Sequence, residues 1–112
     1  PYAPARELID GGCAVALASD YNPGSCFTNS IPLLFALAVI HMNMSLEEAL
    51  CALTLNGAAA VGKADQIGSI EPGKAADLVV LEKPQYEFLV YHTGKNIVKE
   101  VYKDGNLAYS KR

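Results

Sequence analysis

The sequence lacks the features that place a protein in or on a membrane. It contains no run of about 18 uncharged apolar residues, the length that a membrane-spanning helix needs. Its first residues show no basic stretch followed by an apolar one, as a secretory signal would. We therefore expect no membrane partner and a cytoplasmic location.

Strong charge of one sign is also lacking. The 112 residues carry 9 basic and 12 acidic side chains, for a net charge of -3, and the two signs are interspersed. No basic stripe is present, so we expect no nucleic acid partner. Only three cysteines occur, Cys13, Cys26 and Cys51. Their odd number and wide spacing favour reduced thiols over a disulfide framework.

The most informative stretch is an apolar run that leads into a polar turn. Val15–Ala18 predicts a buried strand, because the run is short and bounded by turn-forming residues. Asp20 follows, in a turn that contains Asn22 and Gly24. Catalytic and binding groups gather just past the carboxyl ends of strands in parallel α/β folds. Asp20 is therefore a candidate site residue.

The remaining secondary structure divides the chain into two regions. The first is helical, and Ser45 with Glu48 forms a capping box at the start of one helix. Predicted helices cover Ala5–Asp10, 31–42 and two short tandem segments on either side of 56–57. Predicted strands cover 67–70, 78–81, 97–102 and 107–109, the last two joined by a turn at Asp104-Gly105.

The first region has a single predicted strand. A lone parallel strand flanked by helices cannot satisfy its own backbone groups. We therefore expect the chain to be part of a longer α/β protein, with a division near residues 62–66.

Two motifs resemble the carboxyl-terminal tail of the metal-dependent amidohydrolase superfamily: the run from Gly68 to Leu81 and the preceding Leu53–Ala59. The resemblance implies an α/β fold in two parts. Residues 1–64 would be the last strand and helices of a distorted (β/α)8 barrel. Residues 65–112 would be strands of a small β-sandwich.

A narrower resemblance points to a branch of the superfamily that hydrolyses a cyclic amide. It is carried by Ser19–Ser25, by Tyr91–Asn96 and by Lys103–Gly105. It covers nearly all of this chain but only about the last third of the family's length. One departure is Tyr21, where the family more often has Phe.

This resemblance implies roles for individual residues. Asp20 would be both a ligand of one catalytic metal ion, zinc or iron, and a partner of the attacking water. Asn22, Gly24 and Ser25 would contact a small-molecule substrate. The remaining ligands would be histidines on a missing amino-terminal part of the barrel. A homodimeric parent is compatible with the resemblance.

Simpler interpretations compete with these roles. Any Asp before an Asn-Pro-Gly sequence can serve as a turn former, so Asp20 by itself is not diagnostic. His41 is expected to be a packing residue on a helix face, His92 a loop residue, and Cys26 a small loop side chain. Two alternatives for the whole chain remain open: an enzyme similar to guanine deaminase or dihydropyrimidinase, or a non-catalytic module that stands alone.

The chain by itself is expected neither to bind zinc tightly nor to catalyse, because the sequence has two histidines and no His-X-His pair. Isothermal titration of the 112-residue chain with zinc should show no submicromolar binding. Submicromolar affinity that is lost in Asp20→Ala would contradict this expectation.

Overall fold

The computed structural model describes residues 2–24, 26, 30–91 and 96–111. It is a mixed α/β structure in which four helices come first and a fifth lies between the first two strands. The helices are α1 (Ala5–Asp10), α2 (Ile31–His41), α3 (Leu46–Leu53), α4 (Leu55–Ala60) and α5 (Phe88–Tyr91), and the strands are β1 (Leu78–Leu81), β2 (Val98–Lys103) and β3 (Asn106–Ser110). Within these ranges every helix is too short or too polar to cross a membrane.

The helix ends follow the signals in the sequence. The Ser30 hydroxyl accepts the Leu33 N–H at the start of α2, where Pro32 is tolerated because its missing N–H has no helical partner. At α3, the Ser45 hydroxyl accepts the Glu48 N–H, and the Glu48 carboxylate accepts the Ser45 N–H. The predicted capping box and the predicted helix over 31–42 are therefore confirmed, the latter one residue shorter.

The tandem helices α3 and α4 are also confirmed, and they are separated at Thr54. This residue has φ −116° and ψ −85°, outside the helical range. Its hydroxyl donates to the Leu50 carbonyl at 2.7 Å. The helix is therefore interrupted at Thr54, although the Leu50 carbonyl keeps the Thr54 N–H as its partner.

Helices α1, α2 and α3 share one hydrophobic core. Its buried side chains are Ala5, Phe35, Ala38, Met44, Ala49 and Ala52. Tyr86 and Val90, from the connection between β1 and β2, pack against this cluster, and the Tyr86 ring lies 6.2 Å from that of Phe35. This connection contains α5, and residues from it complete the helical core.

The three strands form an antiparallel sheet in the order β1-β2-β3. Strand β1 has the predicted bounds, and the predicted bounds of β2 and β3 are correct to within one residue. Asp104 and Gly105 have φ of +52° and +78° and connect Lys103 to its partner Asn106. Two successive positive φ values are typical of a two-residue hairpin turn, and Asp-Gly adopts them readily.

Two predicted strands are wrong. Residues 67–69 form a bend, because Gly68 has φ +97° and lies directly against α4. The predicted strand Val15–Ala18 has no regular secondary structure. Its backbone groups are bound by helices rather than by a strand: the Leu17 N–H donates to the Ala52 carbonyl at 3.1 Å.

An ion-pair cluster joins α1 to the start of α3. Arg6 donates from both terminal nitrogens to the Glu48 carboxylate, at 2.7 and 2.9 Å, and from Nε to Asp10 at 3.0 Å. Such bidentate pairs fix geometry as well as charge. The hydrogen bonds from Arg6, and then from the Ser45 backbone, lower the pKa of Glu48 from 4.5 to about 2.

This lowered pKa predicts a pH-dependent contribution to stability. A carboxylate with a lowered pKa in the folded state stabilises it above the unfolded pKa, 4.5, and this contribution disappears as the pH falls to about 2. Glu48→Gln should therefore lower Tm at pH 7, and the difference from wild type should shrink across that window. Thermal unfolding between pH 2 and 7 measures this.

The control for this comparison is Glu7→Gln, which changes an exposed carboxylate on α1. It should leave Tm nearly unchanged at every pH. A Glu48→Gln difference that does not vary with pH would contradict the assigned role of the charge.

Candidate functional site

The segment that leads to Asp20 is held against the junction of α3 and α4. The Leu17 N–H donates to the Ala52 carbonyl, and the Val15 carbonyl accepts a hydrogen bond of 2.9 Å from Nδ2 of Asn56. Val15 and Leu17 are half-buried, whereas residues 14, 16 and 18 are exposed. Burial therefore alternates along the segment as it does along a strand, with one side on the helices and the other open.

Asp20 ends this segment with an exposed side chain. Because burial alternates along the segment, Asp20 lies on its exposed side together with Ala16 and Ala18. Its φ is +52°, in the left-handed region that few residues other than glycine adopt, although Asp tolerates it. Within the described part of the chain, its carboxylate accepts no hydrogen bond. The side chain is therefore accessible to a ligand.

A closed turn follows Asp20 and is built around Asn22. Nδ2 of Asn22 donates to the Asp20 carbonyl at 2.6 Å, and Oδ1 accepts the Gly24 N–H at 2.9 Å. The Asn22 N–H donates to the Cys26 carbonyl at 2.8 Å, and the Cys26 thiol donates to the Ser19 carbonyl at 3.1 Å. These bonds fix the direction in which Asp20 leaves the segment.

The structure thus brings three of the four predicted site residues into one turn. The side-chain amide of Asn22 joins the three residues, because it hydrogen-bonds both the Asp20 carbonyl and the Gly24 N–H. Ser25 lies outside the described residues. Both ends of the Asn22 amide bind backbone groups of the turn, so Asn22 shapes the turn, and its contact with a substrate stays a prediction.

Gly24 lies close to the Asn22 side chain. A Cβ atom at Gly24 would lie 3.2 Å from Asn22 Oδ1, closer than most real contacts of a Cβ. A side chain at this position would therefore press on the turn.

The fit of a metal ion to these residues is limited. An aspartate oxygen suits zinc or iron. Among the described residues, however, no three His, Cys, Asp or Glu side chains lie close enough together to hold an ion. His41 stacks on Tyr2, with ring centroids 5.5 Å apart, and His92 lies outside the described residues. Among the described residues, Asp20 is therefore a candidate ligand, and no complete metal site is present.

Sequence reasoning missed the role of Asn56. The predicted interruption at 56–57 is wrong by two residues, because α3 and α4 separate at Thr54 and Asn56 lies within α4. The Asn56 side chain also contacts Val15, 41 positions away. The available signal in the sequence was an amide side chain within the mostly apolar stretch from Leu53 to Val61.

A family model described as the amidohydrolase family matches residues 2–108 of this chain. Among curated proteins, the imidazolonepropionase of Porphyromonas gingivalis is 63% identical over 97% of this chain, and that of Clostridium tetani is 64% identical over 99%. The chain spans 26% of the length of each of these relatives.

Solved structures have the same fold. An amidohydrolase from Thermotoga maritima is 32% identical, with a TM-score of 0.76 over 95% of this chain and 25% of that one. Guanine deaminase from E. coli is 25% identical, with a TM-score of 0.70 over 96% of this chain and 30% of that one.

The turn after Asp20 yields a direct prediction. Asn22→Ala should raise the hydrogen-exchange rate of the Gly24 amide about fivefold, the effect of losing one hydrogen bond of roughly 1 kcal/mol. Asn22→Asp keeps the acceptor oxygen and should preserve the protection. Amide exchange monitored by NMR measures both.

The matched control is Asn96→Ala. Oδ1 of Asn96 accepts the Val98 N–H at 3.1 Å in the same local arrangement. Its loss should affect the Val98 amide and leave Gly24 unchanged. Equal protection of Gly24 in wild type and Asn22→Ala would contradict the role given to Asn22.

Proposed function

The chain belongs to the amidohydrolase family, and on that premise we propose that it is the carboxyl-terminal part of an imidazolonepropionase. The observation that carries the proposal is the level of identity. Curated relatives that are 57–64% identical over nearly the whole chain are named imidazolonepropionase, whereas guanine deaminase is 25% identical. The proposed whole protein hydrolyses 4-imidazolone-5-propanoate to N-formimidoyl-L-glutamate, in the degradation of histidine.

In this proposal, residues 1–64 supply the last strand and helices of a (β/α)8 barrel, and residues 65–112 supply strands of the small β-sandwich. Residues 15–18 have no strand partner in the described chain, and in the full-length protein they would pair with a neighbouring barrel strand. The alternating burial along 14–18 supports the first part, because a barrel strand has one side on the helices and the other toward the barrel interior. The exposed small side chains Ala14, Ala16 and Ala18 would then face the interior, as would Asp20.

The reaction adds water across one C–N bond of a ring. The bond between the carbonyl carbon and the ring nitrogen breaks, the carbon gains a hydroxyl group, and the nitrogen gains a proton. Asp20 is proposed to accept the proton that the water loses and to deliver it to the leaving nitrogen. A zinc or iron ion, when bound, would lower the pKa of the attacking water toward ~7.

The turn after Asp20 is proposed to form the side of the site that faces the substrate. Gly24 allows its backbone to approach the ligand closely, because it has no side chain. Ser25 would offer a hydroxyl group to the ring or to the propanoate. Asn22 contributes by holding the turn in shape, since its amide binds the Asp20 carbonyl and the Gly24 N–H.

The test is the activity of the full-length protein that contains this chain. It should convert 4-imidazolone-5-propanoate to N-formimidoyl-L-glutamate, and Asp20→Asn should lower kcat by about 10²- to 10⁴-fold, the usual contribution of a proton-transfer residue. Loss of the substrate absorbance and detection of the product by mass spectrometry measure this.

Asp104→Asn is the matched control, because Asp104 is also exposed and also has φ +52°, but lies in the hairpin between β2 and β3. It should retain wild-type activity. Turnover of guanine in place of the imidazolone would favour the guanine-deaminase alternative and contradict the proposal.

A further inference from the structure

The junction between α3 and α4 leaves a helix carbonyl available to a distant segment. In a continuous helix the Ala52 carbonyl would accept the N–H of Asn56, four residues later. The break at Thr54 removes that bond, and the Leu17 N–H takes its place at 3.1 Å. The segment before Asp20 is thus attached by its backbone to the end of α3.

Asn56 adds a second attachment beside the first. It lies in the first turn of α4 and is half-buried. Its Nδ2 donates to the Val15 carbonyl at 2.9 Å, and its Oδ1 accepts from the Cys51 thiol at 3.6 Å. The amide therefore links α3, α4 and the segment that carries Asp20.

Helix stability does not account for an asparagine at this position. Asn is a poorer helix former than Ala, which occupies the next three positions after Gly57. An aliphatic side chain would also leave the Val15 carbonyl without its donor, which is costly for a partly buried group. An asparagine at this position is therefore explained by its hydrogen bond to the Val15 carbonyl rather than by the stability of α4.

We propose that Asn56 is a positioning residue for Asp20, acting by fixing the Asp20 segment on the α3–α4 junction. Val15 and Leu17 are both fixed on the half-buried side of the segment, and Asp20 follows Leu17 by three residues. Displacement of a reacting group by about 1 Å can lower a catalytic rate ~10²-fold. The catalytic part of this inference rests on the proposed function of Asp20.

The test compares Asn56→Ala and Asn56→Asp with wild type in the full-length protein. Asn56→Asp keeps the size of the side chain and removes its N–H donor, so both variants should behave alike. Each should raise amide exchange at Leu17 about fivefold and lower kcat roughly 10- to 100-fold, with KM nearly unchanged.

Asn106→Ala is the control, because Asn106 is an exposed asparagine in β3, which contacts β2 and neither α3 nor α4. It should change neither amide exchange at Leu17 nor kcat. Tm is measured for every variant, and kcat is expressed per folded molecule.

Three results would overturn the inference: unchanged exchange at Leu17, wild-type kcat in Asn56→Asp, or a fall in activity fully explained by a lower folded fraction. If Asn56→Ala does not fold, Asn56→Asp decides. A wild-type protein without activity on 4-imidazolone-5-propanoate would contradict the proposed function instead, while the exchange comparison would still decide whether Asn56 fixes the segment.

Discussion

The break in the helix at Thr54 is the constraint on which the arrangement of the chain depends. It frees the carbonyl of Ala52, which binds the N–H of Leu17 and attaches the amino-terminal segment. Gly68 also approaches this junction so closely that a Cβ atom there would lie 2.8 Å from the Cβ of Ala58. The segment that carries Asp20 and the loop that leads to the sheet therefore both contact the α3–α4 junction.

Asp20 is held by its backbone on both sides. The preceding segment is attached to helices, and the following turn is closed by Asn22 and by the Cys26 thiol. A carboxylate held in this way needs little reorganisation to meet a ligand, which is the general advantage of preorganised catalytic groups. The exposed side chain of Asp20 agrees with the proposal that the remaining residues of the site belong to parts of the full-length protein outside this chain.

The sheet also exposes apolar surface. Every residue of β3 is exposed, and so are large apolar side chains such as Val79 and Leu107. Exposed apolar strands at a sheet edge are prone to pair with other strands. Under the proposed function, further strands of the β-sandwich would cover this surface. The 26% share of the relatives' length that this chain spans is compatible with that arrangement.

The sequence by itself determined the elements whose signals lie within a few residues. The Ser45–Glu48 capping box, the tandem helices and the Asp104-Gly105 hairpin were predictable, because their hydrogen bonds or backbone angles depend on adjacent side chains. The candidate turn with Asp20 was predictable for the same reason, together with the family resemblance.

Only the tertiary structure decided which distant groups would serve as partners. Residues 15–18 have the composition of a strand, yet their backbone binds α3 and Asn56, since a strand requires a neighbour that the described chain does not supply. The bend at Gly68 depends on contact with α4. A hydrogen bond across 41 positions leaves no local pattern, because its geometry exists only after the helices have packed.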